Sequence, residues 1–277
     1  MLLRILSLLP LSALHALGSI LGWIIYGMSP TYRRRLKENL ALAGYADART
    51  RRAAIASAGQ MLTEVPALWF RPQAEVARLV VRVEGAEAPL AAIARKQPVL
   101  FLTPHMGCFE ITAQYASLQS PITVLYRSPK MRWLEPLMRE GRGRGAIRLV
   151  PADRSGVREL FAALKRGEVA GFLPDQVPGK GEGEWAEFFG RPAYTMTLAA
   201  KLAAREGIAC FLAYAKRLPR GAGYEITVRP LPPKTEGETA TRHLNRAIES
   251  LIRECPGQYL WSYNRYKTPA GARPLEA

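Results

Sequence analysis

The chain has 277 residues, 48% of them apolar, and carries 39 Lys and Arg against 23 Asp and Glu, for a formal charge of +16 and a pI near 10.2. That is enough apolar material for one large core or two small ones, and the charge favours an anionic partner: nucleic acid, an anionic membrane surface, or an acidic protein or lipid. Cys108, Cys210 and Cys255 are odd in number, far apart and without a C-x-x-C pair, which speaks against a disulfide framework and a zinc site and favours a reducing compartment.

From Ile5 to Tyr32 the chain carries no Lys, Arg, Asp or Glu, and about 20 apolar residues suffice to cross a bilayer core. "RRRLK" follows directly, with only Arg4 and the amino terminus on the other side, so the positive-inside bias places the downstream chain in the cytoplasm. Pro10, His15 and three glycines weaken the segment, which leaves a monotopic helix in one leaflet as an alternative to a spanning one. A cleaved signal peptide fits less well, because the apolar stretch exceeds an ordinary signal core and no clean A-x-A site precedes a polar start. Residues 1–32 are therefore expected to form an N-terminal membrane anchor and residues 33–277 a cytoplasmic domain.

Beyond the anchor, Leu36, Leu40 and Leu42, then Ile55, Met61, Leu62, Val65 and Leu68, predict two helices separated near Gly44. From Leu79 onward, short β-branched runs alternate with helical stretches. The strands are "LVVRVEG", "QPVLFLTP", "PITVLYR", "AIRLVP", "EVAGFLPDQ", "IACFLAYAKRL" and "GYEITVRPLPP". Helices are expected over Ala86–Lys96, Cys108–Ser117, Pro129–Gly141, Gly156–Arg166, Tyr194–Glu206 and Thr239–Arg253. This alternation predicts an α/β fold with a largely parallel, buried sheet flanked by helices, whose function gathers at the carboxyl ends of the strands. "GRGRGAIR", "PDQVPGKGEGEW" and "RPLPPKTEGE" read as loops, either at a binding site or simply solvated.

"TPHMGCFE", residues 103–110, follows one of the apolar strands. Within a single helix, five steps of about 100° would set His105 and Glu110 roughly 140° apart, so they meet only if His105 precedes the helix. Pro104 and Gly107 allow that, and a His/Glu dyad would then leave one imidazole nitrogen free as a general base. A histidine at a strand end with Glu110 on a solvated face is the other reading of the same spacing. No G-x-S-x-G, H-E-x-x-H or Walker loop is present, and no G-x-G-x-x-G has its acidic partner. A base at His105 therefore needs a substrate that brings its own nucleophile, a hydroxyl or an amine.

The order strand, H-x-x-x-x-E, arginine-bearing block, Pro-Asp resembles the lysophospholipid acyltransferase superfamily. More narrowly, "SPTYRRRLKENLAL", "HMGCFE", "YRSP", "GRGRG", "LKRGEVAGFLPDQ" and "GQYLWSYNRYKT" resemble the late (secondary) lipid A acyltransferases from end to end. The resemblance implies a glycerolipid acyltransferase-like α/β fold at the cytoplasmic face of the inner membrane. It implies transfer of a fatty acyl chain from an acyl carrier protein thioester to a hydroxyl of an anionic lipid A precursor, with no cofactor and no metal. His105 would be the base and Glu110 its partner, where many members have an aspartate. Arg142 would hold an anionic group of the acceptor or organise the site, with Arg127 a second candidate, and Asp175 would orient a site residue. "LPDQ" stands where glycerolipid acyltransferases usually carry an "FPEGTR"-like block, which counts against a glycerophospholipid acceptor. Another glycolipid, an aminolipid or a polyene lipid is the alternative acceptor. A nonenzymatic, membrane-tethered basic binding module is a third reading. Nucleic acid is not expected as a partner, since it explains neither the apolar anchor nor the absence of a recognition motif. Trp261, Tyr263 and Tyr266 are expected in packing, "NRYK" near lipid headgroups, and Cys108 in packing.

Overall fold

The computed structural model describes residues 2–129, 131–179 and 181–272. Six helices come first: α1 (Leu2–Leu6), α2 (Leu11–Met28), α3 (Pro30–Leu42), α4 (Ala48–Thr63), α5 (Val65–Phe70) and α6 (Gln73–Arg78). Ser29 begins α3 by accepting the Tyr32 amide at 3.3 Å with Pro30 at the first helical position, and Asp47 begins α4 in the same way on Thr50 at 2.8 Å. The expected single helix through Leu68 breaks at Glu64, because the ring of Pro66 cannot sit in a helix interior but fits the first turn of α5. Close packing of Gly18 and Gly22 on Gly59 seats α2 along α4: a Cβ at Gly59 would run into the Gly18 carbonyl and the Gly22 amide.

The seven expected strands all form, as β1 (Val80–Glu84), β2 (Val99–Leu102), β3 (Ile122–Tyr126), β4 (Ile147–Pro151), β5 (Val169–Phe172), β8 (Ala209–Arg217) and β9 (Tyr224–Pro230). They lie in one sheet in the order β1-β9-β8-β2-β5-β3-β4, parallel throughout except between β8 and β9. The alternation of residues along the strands fills two cores. Leu100, Leu102, Phe172 and Leu212 face one side, Val99, Val169, Ile122 and Phe211 the other. The first side is covered by α3, α4, α10 (Arg154–Lys165), α11 (Thr197–Ala203) and α12 (Ala240–Glu254); the second by α5, α6, α7 (Glu87–Ala94), α8 (Phe109–Ala116) and α9 (Glu135–Arg142). The result is the mostly parallel α/β sandwich expected from the sequence.

Two further elements differ from expectation: the helix expected from Pro129 begins only at Glu135, after a 3-10 turn over Arg132–Leu134, and a hairpin replaces the start of the helix expected from Tyr194. A hairpin of β6 (Gly183–Phe188) and β7 (Arg191–Met196) packs on α12 and takes in Tyr194, so α11 begins only at Thr197. Arg265 of "NRYK" corrects another expectation. It does not reach the surface, being 2% exposed and donating to the Tyr194 carbonyl at 2.7 Å and Thr195 Oγ1 at 2.8 Å.

Candidate active site

Strands β2 and β5 are parallel neighbours with Leu102 opposite Phe172, and the Thr103 amide extends the pairing to the Phe172 carbonyl at 2.9 Å. His105 and Asp175 each lie three residues beyond that paired position, so the register alone brings them together. The imidazole Nδ1 sits 2.8 Å from Asp175 Oδ1, while the His105 amide donates to Oδ2 at 2.9 Å. Burial pushes the Asp175 carboxyl up, but His105 outweighs it and the carboxyl is held below its usual range. An ionised carboxylate only accepts, so Nδ1 is the donor to Asp175, and among the described residues Nε2 has no hydrogen-bond partner. The Phe109 ring, 4.8 Å away centroid to centroid, fixes the imidazole from the other side.

The chain around His105 is held from three directions. Leu260 N donates to the His105 carbonyl at 3.0 Å, Gly107 N to the Gln258 carbonyl at 2.9 Å, and Cys108 N to Ala215 O at 2.8 Å. Gly107 has φ of +56°, a conformation open to glycine, and a side chain there would strike the Ala215 carbonyl. The "GQYLW" block thus closes over the histidine loop, and Asn39 of α3 secures it by donating to the Trp261 carbonyl at 2.7 Å. Cys108 is fully buried, and burial, with Glu64 nearby, pushes its thiol well up.

Glu110 does not join His105. The sequence expectation placed it over the imidazole, but in the first turn of α8 it points toward α9. There Arg142 Nε lies 2.9 and 3.0 Å from its two oxygens, Arg142 Nη2 adds a further bond, and the Trp69 indole donates to Oε2 at 3.3 Å. Among the described residues no hydrogen bond links Glu110 to His105. Burial would lower the Arg142 guanidinium, but Glu110 outweighs it and raises it. The "GRGRG" block gains a physical meaning here. Gly141 leaves room for the Trp69 ring, Arg142 engages Glu110, and Arg144 Nη1 binds the Leu68 and Trp69 carbonyls at 3.1 and 3.0 Å, closing the end of α5.

His105, Glu110 and Arg142 line a cleft of about 950 Å³ with Arg127, Arg154 and Arg158. Exposed Arg127 follows β3 directly, as expected for a strand-end loop. A second, nearly all-apolar cavity of about 90 Å³ lies between α7, α8 and the sheet, lined by Leu90, Ile93, Phe101, Val124 and others; Phe109 and Phe172 line both spaces. Among the described residues no group of three or more His, Cys, Asp or Glu side chains could hold a metal ion.

Comparison with known proteins bears directly on this arrangement, because residues 1–268 match the family model for bacterial lipid A biosynthesis acyltransferases. The chain belongs to that family. It is 29% identical over 219 residues to a lipid A biosynthesis lauroyltransferase of Escherichia coli, covering 76% of this chain and 70% of that one. A lipid A biosynthesis palmitoleoyltransferase of the same organism is 29% identical over 79% of this chain and 72% of its own. A lipid A biosynthesis acyltransferase of Haemophilus influenzae is 24% identical over 94% and 86%. The protein is thus a lipid A acyltransferase family enzyme, which displaces the nonenzymatic binding-module reading. In this family member, sequence reasoning missed Trp69 as the second partner of Glu110. It also missed that Asp175, not Glu110, faces the imidazole. Across the 70-residue separation of His105 and Asp175 no local signal links the two, and the pairing of β2 with β5 brings them together.

Proposed function

We propose that the enzyme moves a fatty acyl chain from an acyl carrier protein thioester to a hydroxyl of a lipid A precursor, with His105 as general base. The observation that carries this reading is the His105 imidazole, its Nδ1 engaged by buried Asp175 and its Nε2 free toward a cleft beside an apolar cavity. Nε2 takes the proton of the acceptor hydroxyl as its oxygen attacks the thioester carbonyl. Asp175 stabilises the imidazolium that forms. When the tetrahedral intermediate collapses, the carbon–sulfur bond breaks, and the imidazolium returns its proton to the departing carrier thiolate. A positioned base of this kind contributes about 10² to 10⁴ in rate.

The apolar cavity suits the acyl chain, and Arg127, Arg154 and Arg158 suit the phosphates of the acceptor, since guanidinium binds phosphate in a bidentate fork. Arg142 is already committed to Glu110, so the pair serves better as a wall that shapes the cleft than as a free anion site. The +16 charge draws an acidic carrier and an anionic cytoplasmic leaflet to one molecule.

Mass spectrometry of lipid A from cells with and without the gene tests the acceptor: an added secondary acyl chain is expected. No mass difference, together with acylation of another glycolipid, aminolipid or polyene lipid, would transfer the reading to that acceptor. Purified enzyme is expected to use acyl carrier protein thioesters, and turnover with acyl-coenzyme A alone would overturn the assigned donor.

A further inference from the structure

We propose that the buried pair Glu64–Arg217, joined by His15 of the N-terminal helix, positions the His105 loop by gripping its Gly107 carbonyl. The cluster lies away from the cleft and has no part in the proton transfers above. Glu64 is 1% exposed, Arg217 4% and His15 5%. Arg217 Nε donates to Glu64 Oε2 at 2.7 Å and Nη2 to Oε1 at 2.5 Å. The rest of the guanidinium reaches outward, Nη1 to Ser57 Oγ at 2.9 Å and Nη2 to the Gly107 carbonyl at 2.6 Å. On the far side Glu64 receives the Tyr224 hydroxyl at 3.0 Å and lies 3.2 Å from His15 Nε2.

A relay of contacts therefore runs from α2, through α4, to the end of β8, and ends two residues from the proposed base. Gln258 doubles the grip. Its side chain brackets the Arg217 backbone at 2.8 and 3.0 Å, and its own carbonyl takes the Gly107 amide at 2.9 Å. Both polar backbone groups of Gly107 are thus held by Arg217 and its bracket. A buried ion pair adds little stability over a well-packed apolar replacement, but four of the five guanidinium N–H groups of Arg217 are engaged by three different residues, a network that restricts it to one geometry. Here the geometry it enforces is that of a positive-φ glycine beside the imidazole. Burial would raise the Glu64 carboxyl, but Arg217 and His15 outweigh it and keep it low, consistent with a permanently ionised clamp.

Arg217→Lys tests the grip, because an ammonium cannot serve Glu64 in a fork and reach Ser57 and Gly107 at once. In the full-length protein in lipid or detergent, with folding checked by thermal melting, kcat is expected to fall about 10²-fold at unchanged KM. In the same protein the carbethoxylation rate of His105 by diethyl pyrocarbonate, read on its peptide by mass spectrometry, is expected to rise several-fold. A folded variant with a lower Tm but unaltered kcat and His105 reactivity would reduce the cluster to a structural pair and overturn the proposal. Should Arg217→Lys fail to fold, His15→Leu decides, since it leaves the Glu64–Arg217 pair whole. It is expected to change the same two readouts less, with His15→Gln, which returns a donor near the Nε2 position, restoring them; no change in either would overturn the relay to α2. The kcat readout rests on the acyltransferase reading, but the His105 reactivity does not. A wild-type enzyme that acylates nothing would sink that reading and leave the loop to be judged by reactivity alone.

Discussion

At the scale of single residues, two carboxylates compete for the role of partner to the base, and their surroundings separate them. Asp175 accepts from both the ring and the amide of His105, while Glu110 is taken up by Arg142 and Trp69. Asp175→Asn keeps the shape of the side chain but removes the charge that stabilises imidazolium. Transfer is expected to fall by about 10² to 10⁴ with Tm nearly unchanged. Glu110→Gln instead leaves the Arg142 guanidinium without its counter-charge. Breaking a buried pair costs about 3–5 kcal/mol, and a guanidinium still 29% exposed belongs at the low end. Its expected signature is a lowered Tm together with lowered activity. Kinetics and melting curves of the two variants side by side provide the check. The opposite pattern, kcat lost without Tm in Glu110→Gln and kcat retained in Asp175→Asn, would return Glu110 to the base.

At the scale of elements, the close approach of α2 to α4 depends on glycines. Gly59→Val would place branched carbons where the Gly18 carbonyl and the Gly22 amide now lie. Overpacking of this kind costs about 1–3 kcal/mol, and because His15 rides on α2, the variant is expected to lose activity beyond its loss of Tm. Equal losses in Gly59→Val and in a surface control such as Leu62→Ala would remove the special status of this interface. Such pairings mark the limit of what the sequence discloses. The seven strands were legible because their β-branched runs are short and bounded by turn residues, and His105 was legible because it follows one of them. The hairpin was not: its turn is Phe189–Gly190, with Phe189 at φ of +47°, and it lacks the usual Asn-Gly or Asp-Gly signature. Asp175 was legible through the family resemblance as a residue that orients another, but not that the residue it orients is His105. Sequence spacing offered Glu110, five residues away, whereas the parallel register of two strands supplied Asp175. The link between His15, Glu64 and Arg217 escaped notice for the same reason: they lie in three distant segments, and His15 was read only as a residue that weakens the apolar N-terminal stretch.

At the scale of the whole molecule, the N-terminal helix raises a question of orientation. Leu11–Met28 is long and apolar enough to cross a membrane. Its fastenings argue for a helix that lies in one leaflet. Near its start, Gly221 of the β8–β9 turn packs closely on Leu11 and Ser12, and Arg71 binds the carbonyls of Ser7 and Leu9 just before it. Arg4, earlier still, pairs with Glu140 of α9 at 3.3 Å. At the other end Ser29 turns the chain into α3, which Asn39 ties to the C-terminal block. Both ends thus rest on the same folded body, and a crossing helix would have to drag α4, with Arg49, Arg51 and Arg52, into the hydrocarbon. The outward face of α2 bears Leu17, Ile20, Trp23, Ile24 and Met28, all substantially exposed, and the cationic run from Arg33 to Lys37 follows it, so a helix lying in one leaflet would set these cations among the headgroups. Cysteine mapping in cells decides between the two orientations. With Arg4→Cys and Arg34→Cys made separately and compared with the unsubstituted chain, a membrane-impermeant maleimide is expected to label neither in intact spheroplasts and both in lysed ones. Labelling of Arg4→Cys from outside, with Arg34→Cys protected until lysis, would mean that α2 crosses the bilayer and that its contacts with α4 and the β8–β9 turn do not form in the membrane.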